Sequence, residues 1–211
     1  HERFRRQRQM CIRDRDWDLE KKHLDQCVER GAGIIDVGDL FCAMQGKWDK
    51  RADRSALREE YQYGQYLDRL VEVATDFYSP YARQFVLIGR GNHETAICKR
   101  HETDLTERLT QALKTTTGEQ VHAGGYGGWV RFIFKRTNTS KIRINLKYFH
   151  GSGGGGPVTR GVIQTNRMSV FLPDAHLVVS GHTHDQWQVP IARERPVSYT
   201  HLRAHETHSN L

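Results

Sequence analysis

Four apolar segments of the chain each end at a turn that carries metal-ligand side chains. The turns are VGD at Asp39, RGNHE at Asn92 and His93, YFHG at His150, and SGHTH at His182 and His184. In α/β folds, ligand sites gather outside the carboxyl ends of the strands. The pattern therefore predicts strands whose carboxyl ends converge on one site, and this convergence constrains the fold more than any other feature.

The chemistry of these side chains favours particular metals. Oxygen and imidazole ligands without a thiolate suit Mn²⁺, Fe or Zn²⁺. Gly38, Gly91 and Gly181 precede the ligand residues, where they allow sharp turns and a close approach of the backbone. Each turn alone has an ordinary interpretation, as a simple turn, a half-buried histidine or a surface pair. Their combination favours a metal site.

Hydrophobic periodicity predicts alternating helices and strands. Helical spacing covers the segments 16–33, 63–82, 97–114 and 161–172. Strand-like apolar runs lie within 34–41, 84–95, 121–136, 141–151 and 175–184, with TNTS (137–140) as a hairpin connection. This order predicts an α/β layered domain.

The two ends of the chain continue no pattern of their neighbours. A DNA sequence that encodes MCIRD (10–14) can encode VSYTH on its opposite strand, which is the peptide at 197–201. Such an inverted repeat is typical of sequencing-adapter DNA. We therefore interpret 1–15 and 197–211 as translated adapters and expect a partial domain at 16–196.

Composition excludes several classes of protein once the ends are set aside. The formal net charge is +7, but residues 1–15 carry six arginines against two acids, which weakens the case for nucleic acid as a partner. The cysteines outside that segment, Cys27, Cys42 and Cys98, lack CxxC spacing, which favours a reducing compartment over a disulfide framework. No apolar run approaches the roughly 20 residues of a membrane span. We expect a cytoplasmic protein.

The four turns together resemble the motifs of the calcineurin-like metallophosphoesterases. The family's motifs run D-x-H, GD, GNH(D/E), H and GHxH in that order. This chain has GD at 38–39, GNHE at 91–94, the single His150 and GHTH at 181–184. The resemblance covers most of 16–196. It implies an α/β fold in the form of a four-layer αββα sandwich, with two mixed sheets and helices outside.

The resemblance also implies roles for individual residues around two divalent metal ions. Asp39 would be the carboxylate that bridges the two ions. His93 would be the catalytic histidine beside the leaving group, where it donates a proton or a hydrogen bond. The other metal ligands would be Asn92, His150 and His182 for one ion, and His184 for the second.

The family's first motif, D-x-H, is missing ahead of the helix that starts near Asp16. In the family this motif ends the first strand, and here its place is taken by the segment interpreted as adapter. We therefore expect an incomplete fold without that strand. It would hold one complete metal site and one incomplete site, and its activity would be impaired.

The activity that the resemblance implies is hydrolysis of a phosphorylated substrate, a phosphomonoester or phosphodiester, by a metal-activated water. Arg160 and Arg167 are candidate substrate contacts, and the glycine-rich segment 151–157 is either an anion-binding nest or a flexible loop. One alternative is a noncatalytic scaffold with a vestigial metal site. Another is a nuclease of the same superfamily, in which bases could stack on Tyr126, Trp129 and Trp187.

Overall fold

The computed structural model describes residues 16–43, 61, 65–153, 161–184 and 186–192. Both predicted adapter segments and Arg160 lie outside these residues. The helices are α1 (Trp17–Glu29), α2 (Tyr66–Tyr78), α3 (Asn92–His101), α4 (Leu105–Thr117) and α5 (Val162–Val170), with a 3₁₀ helix at Ser79–Gln84. The strands are β1 (Ile34–Asp36), β2 (Phe85–Ile88), β3 (His122–Ala123), β4 (Gly127–Lys135), β5 (Lys141–Phe149) and β6 (Leu177–Ser180).

The described residues form a mixed α/β structure with two three-stranded sheets. The first sheet has the order β1-β2-β3, and both pairs are parallel. The second has the order β4-β5-β6, with β4 antiparallel and β6 parallel to β5. Both sheets were predicted to be mixed, but among the described strands only the second is.

The hydrophobic core lies on the first sheet and its helices. On α4, Leu105, Leu109 and Leu113 recur every fourth residue and are fully buried. This spacing places the three side chains on one face of the helix. They share the core with Ile88 of β2 and with one face of α2, whose buried residues include Leu70, Val71, Ala74 and Tyr78.

The predicted helix 97–114 is two helices in the structure. Glu102 ends α3 in the left-handed conformation, with φ of 52°. Asp104 then begins α4 as its N-cap, because its carboxylate accepts hydrogen bonds from the backbone N–H groups of Thr106 and Glu107. The periodicity ran through this break, so the N-cap was the signal that the prediction missed.

Asp104 also links the start of α4 to the turn after β2, since it forms an ion pair with Arg90. We expect Asp104→Ala to lower the free energy of unfolding by about 1–2 kcal/mol, mainly through loss of the cap. Asp104→Asn keeps a capping oxygen and should recover most of that loss. Urea denaturation of the three proteins measures the difference. Equal losses in both variants would show that the ion pair, and not the cap, is the main contribution.

The hairpin predicted from the two apolar runs is confirmed, with β4 and β5 joined through residues 136–140. The start of the first run is the separate strand β3, which pairs with β2 in the first sheet. Helix α5 packs against β6 of the second sheet, where Thr165 Oγ1 lies 2.9 Å from Ser180 Oγ. Cys27, Cys42 and Cys98 are free thiols. Among the described residues, no helix has both the length and the apolar character that crossing a bilayer requires.

Candidate metal centre

Two glycines bring the turns after β1 and β2 into backbone contact. A Cβ on Gly38 would lie 2.4 Å from the backbone nitrogen of Gly91, and a Cβ on Gly91 would lie 2.1 Å from Oδ1 of Asp39. Gly38 also has a φ of 108°, which a side chain disfavours. The two glycine turns therefore leave room for the Asp39 carboxylate and for no additional side-chain atom.

Glu94 holds the same two turns together through hydrogen bonds to their backbones. Its carboxylate is fully buried and accepts hydrogen bonds from the backbone N–H groups of Gly91 at 2.8 Å, Asp39 at 3.1 Å and Phe41 at 2.8 Å. The contact with Gly91 is a capping-box interaction at the start of α3. Glu94 thus fixes the position of Asp39 through its backbone N–H.

Three turns meet at the imidazole of His150, which directly follows β5. Its Nδ1 lies 3.0 Å from the backbone oxygen of Val37. Its Nε2 lies 3.1 Å from Oδ2 of Asp39 and 3.2 Å from Oδ1 of Asn92. A carbonyl oxygen only accepts hydrogen bonds, so Nδ1 carries the hydrogen and Nε2 is left to face two oxygens.

This arrangement of His150 suits a bound cation. Metal-binding histidines usually donate their other ring N–H to a carbonyl or carboxylate, which fixes the tautomer and directs the lone pair at the metal. The backbone oxygen of Val37 serves that purpose here. The lone pair on Nε2 and the oxygens of Asp39 and Asn92 need a positive charge between them, which a proton or a metal ion provides.

His182 completes the cluster from the turn after β6. Because β5 and β6 are parallel neighbours, their carboxyl ends lie side by side, and the rings of His150 and His182 are 5.2 Å apart. The ligand atoms of Asp39, His150 and His182 all lie within 4.8 Å of one another. Among the described residues, this is the one group of three acidic, histidine or cysteine side chains close enough to hold an ion.

The backbone at the candidate ligands is in an unusual conformation. Four non-glycine residues of the described chain have positive φ, and three of them are Asp39, His182 and His184, at 63°, 72° and 59°. The fourth, Glu102, ends a helix. A left-handed conformation costs about 1–2 kcal/mol in a residue with a Cβ. Such conformations cluster at functional sites, where the surrounding structure enforces them.

The electrostatics favour the metal-binding forms of Asp39 and His182, and the protonated form of His150. Burial raises the pKa of Asp39, but the hydrogen bond with His150 and the nearby imidazole of His93 outweigh it, so the pKa lies below its ordinary value. Burial, and then the neighbouring His150, lower the pKa of His182. Burial lowers the pKa of His150 as well, but the Asp39 carboxylate outweighs it and the net shift is upward. An ionised carboxylate and a neutral imidazole are the forms that ligate a metal.

The other predicted site residues lie around this cluster. His93 is buried; its Nδ1 donates to the backbone oxygen of Phe41 at 3.0 Å, and its backbone N–H donates to Oδ1 of Asp39 at 3.0 Å. His184 is exposed and is not part of the group of three, but it lines a cavity of about 410 Å³ together with Asp39 and His93.

The predicted substrate contact Arg167 lies on the exposed side of α5. A cavity of about 1230 Å³ reaches from the cluster along β6, and α5 contributes Thr165, Asn166 and Ser169 to its lining instead of Arg167.

Two residues with positioning roles were not assigned by the sequence analysis. Glu94 was quoted only as part of GNHE, although a glutamate three residues after a helix-starting glycine is itself a capping-box signal. The ring of Tyr126 packs edge-on against His150, with ring centres 5.2 Å apart, and its hydroxyl donates to the backbone oxygen of Gly151 at 2.7 Å. No local sequence pattern predicts that Tyr126 packs against His150.

Comparison of the chain with models of protein families, with curated proteins and with solved structures found no match. The fold and the site therefore define the class of protein on their own. It is a mixed α/β protein with a candidate cation site at the carboxyl ends of its strands, formed by Asp39, His150 and His182 with Asn92 beside them.

Proposed function

We propose that this chain is a metal-dependent phosphoester hydrolase of the calcineurin-like type, with its sheets and helices arranged in αββα layers. One observation carries the proposal. Side chains from four separate turns, up to 143 positions apart in the sequence, bring a carboxylate, an amide oxygen and two imidazoles to one point. Oxygen and nitrogen donors of this kind suit Mn²⁺, Fe or Zn²⁺.

The residues of the chain have distinct parts in the proposed reaction. Two divalent ions bound here would supply an activated water and stabilise negative charge on the phosphoryl oxygens. Asp39 is held for binding by the backbone N–H of His93, and His150 by the carbonyl of Val37. His184 lines the cavity next to Asp39, where a second ion would need a ligand.

His93 is the candidate proton donor. Its Nδ1 is committed to the backbone oxygen of Phe41, so Nε2 is the atom that could donate to a departing oxygen. Two observations support this role: His93 lines the same cavity as Asp39, and it is not one of the three clustered ligands.

The direct test is binding and hydrolysis with added metal. Isothermal titration with Mn²⁺ should give saturable binding at the cluster, and 4-nitrophenyl phosphate or its bis-ester should be hydrolysed only in the presence of metal. The comparison of the two esters separates a phosphatase from a phosphodiesterase. Protein that binds no Mn²⁺, Fe²⁺ or Zn²⁺ would overturn the proposal. Binding without hydrolysis of either ester would favour the noncatalytic scaffold.

We expect His93→Ala to lower turnover about 100-fold while the metal content is kept, since general acid catalysis contributes at least that much. Metal analysis of the purified variant, together with the rate of aryl phosphate hydrolysis, checks both parts. His101→Ala, on the last residue of α3, is a matched control that should leave both quantities unchanged. A His93→Ala protein that has lost its metal would show that His93 is a ligand instead.

A further inference from the structure

A long part of the second half of the chain contains no acidic residue. Between Val121 and Pro173 there is neither Asp nor Glu, while eight lysines and arginines occur. The chain as a whole has 25 acids for 32 basic residues, so this segregation is a property of the region and not of the average composition. The region includes the whole β4–β5 hairpin.

The strand register sorts the cations of the hairpin onto one face. Trp129 pairs with Lys147, and Lys135 pairs with Lys141, so the odd-numbered residues of both strands share a face. We call this the basic face. It carries five cations among ten residues, which are Gly127, Trp129, Arg131, Ile133, Lys135, Lys141, Arg143, Asn145, Lys147 and Phe149.

The opposite face of the hairpin is apolar. Apart from Gly128 it consists of Val130, Phe132, Phe134, Ile142, Ile144, Leu146 and Tyr148. Leu146 and Tyr148 are buried, and a Cβ on Gly124, next to the first sheet, would meet the Tyr148 hydroxyl at 2.7 Å. The two faces point in opposite directions, so a lipid surface could not receive the apolar side chains and the cations together.

The cations of the basic face are available to a ligand. Arg131, Lys135, Lys141 and Arg143 are exposed, and among the described residues none of the five is paired with a carboxylate. Arg131 does make a hydrogen bond to a neutral side chain, since its Nε donates to Oδ1 of Asn145 at 3.0 Å. Five unpaired charges on one surface favour an extended polyanion as the ligand.

An exposed aromatic ring on the same face narrows the class of polyanion. Trp129 is 50% exposed, and the Lys147 ammonium lies 5.5 Å from its ring centre. Cationic side chains interleaved with an exposed ring are the elements that bind single-stranded nucleic acid, with phosphates on the cations and a base on the ring. An acidic peptide or a polyphosphate would make no use of the indole surface.

The hairpin that carries the basic face ends next to the candidate metal centre. Strand β4 begins directly after Tyr126, which packs on His150, and β5 ends directly before His150. Nine-residue strands extend for about 27 Å from that point. A strand of nucleic acid lying on the hairpin would therefore have one end at the cluster of Asp39, His150 and His182.

We propose that the basic face of the β4–β5 hairpin binds single-stranded nucleic acid and that a phosphodiester strand is the substrate class of the adjacent site. The assignment of the substrate class rests on the proposed hydrolase function, whereas the binding surface itself does not require a metal. The cations hold the phosphates, Trp129 stacks on a base, and the hairpin directs the strand toward His150.

The test measures binding without metal, by fluorescence anisotropy of a labelled single-stranded oligonucleotide of about 20 nucleotides in EDTA. We expect the triple variant Arg131→Gln, Lys135→Gln, Arg143→Gln to bind at least tenfold more weakly at about 100 mM salt. Its slope of log affinity against log salt should fall by about 2, since each phosphate contact on a single strand contributes about 0.7. Trp129→Ala should weaken binding about tenfold through loss of stacking.

The matched control removes three exposed cations elsewhere, as Lys22→Gln, Arg83→Gln and Lys114→Gln, and should bind like the unmodified chain. Equal weakening in this control would overturn the proposal, since binding would then follow net charge alone. Displacement of the oligonucleotide by poly-glutamate or phosphatidylserine vesicles at equal charge would also overturn it. Circular dichroism confirms folding of each variant.

Two further measurements separate this proposal from the hydrolase function. Asp39→Asn should keep the oligonucleotide affinity, and the triple variant should keep metal-dependent hydrolysis of the small aryl ester. An inactive chain that still binds the oligonucleotide through the basic face would contradict the hydrolase proposal alone. An active chain whose oligonucleotide binding ignores the triple substitution would contradict the binding surface alone.

Discussion

Replacing Asp39 with asparagine is expected to weaken metal binding more than about 100-fold and to reduce hydrolysis to background. Removal of groups that merely support a ligand costs about 10- to 100-fold in affinity, and Asp39 is the only carboxylate in the cluster. The substitution keeps the shape of the side chain but removes the negative charge that faces Nε2 of His150 at 3.1 Å. Titration with Mn²⁺ and the aryl phosphate assay measure the two effects.

The matched control for this prediction is Asp76→Asn, which alters an exposed carboxylate on α2, far from the candidate ligands in the sequence. It should leave both metal affinity and turnover unchanged. If Asp39→Asn bound Mn²⁺ as tightly as the unmodified chain, the cluster would not be the metal site, and the proposed function would lose the observation that carries it.

Replacing Glu94 with alanine is expected to lower the free energy of unfolding by about 3–5 kcal/mol. The substitution leaves three backbone N–H groups, those of Gly91, Asp39 and Phe41, without their acceptor in a buried position. Each buried donor that loses its partner costs about 1–3 kcal/mol. The turns after β1 and β2 should separate, so metal affinity should fall as well. Urea denaturation of the metal-free protein measures the first effect.

Two further substitutions show how much of the free energy of unfolding depends on the Glu94 carboxylate. Glu94→Gln keeps one acceptor oxygen and should lose less than the alanine variant, because its amide group still satisfies part of the set. Glu29→Ala, at the exposed end of α1, should change the free energy of unfolding by less than about 0.5 kcal/mol. A Glu94→Ala protein as stable as the Glu29→Ala protein would show that the two turns are held together by other contacts.

Local patterns predicted most of the elements that position the site. The apolar alternation of 121–136 and 141–151 gave the hairpin, and the glycine turns marked the ends of β1, β2 and β6. The break between α3 and α4 was missed because hydrophobic spacing continues across Glu102 and Asp104. Strand β1 was predicted to end at Gly38 and Asp39, and in the structure it ends at Asp36.

The contributions of individual turns could not be read from their motifs alone. HTH places His182 in the cluster and leaves His184 exposed beside it, although the two imidazoles are two residues apart. Arg167 was a candidate for substrate binding, yet the face of its helix that lines the cavity bears Thr165 and Ser169. Side-chain direction at such positions depends on how α5 packs on the second sheet.

The sequence by itself determined which residues have the chemistry to bind a cation and that each follows an apolar strand, because both properties are local. Tertiary structure alone decided that two different sheets direct their carboxyl ends at one point. That meeting depends on contacts between distant residues, such as His150 with Val37 and Glu94 with Phe41. These are single hydrogen bonds across more than 50 positions, and no periodicity in the chain encodes them.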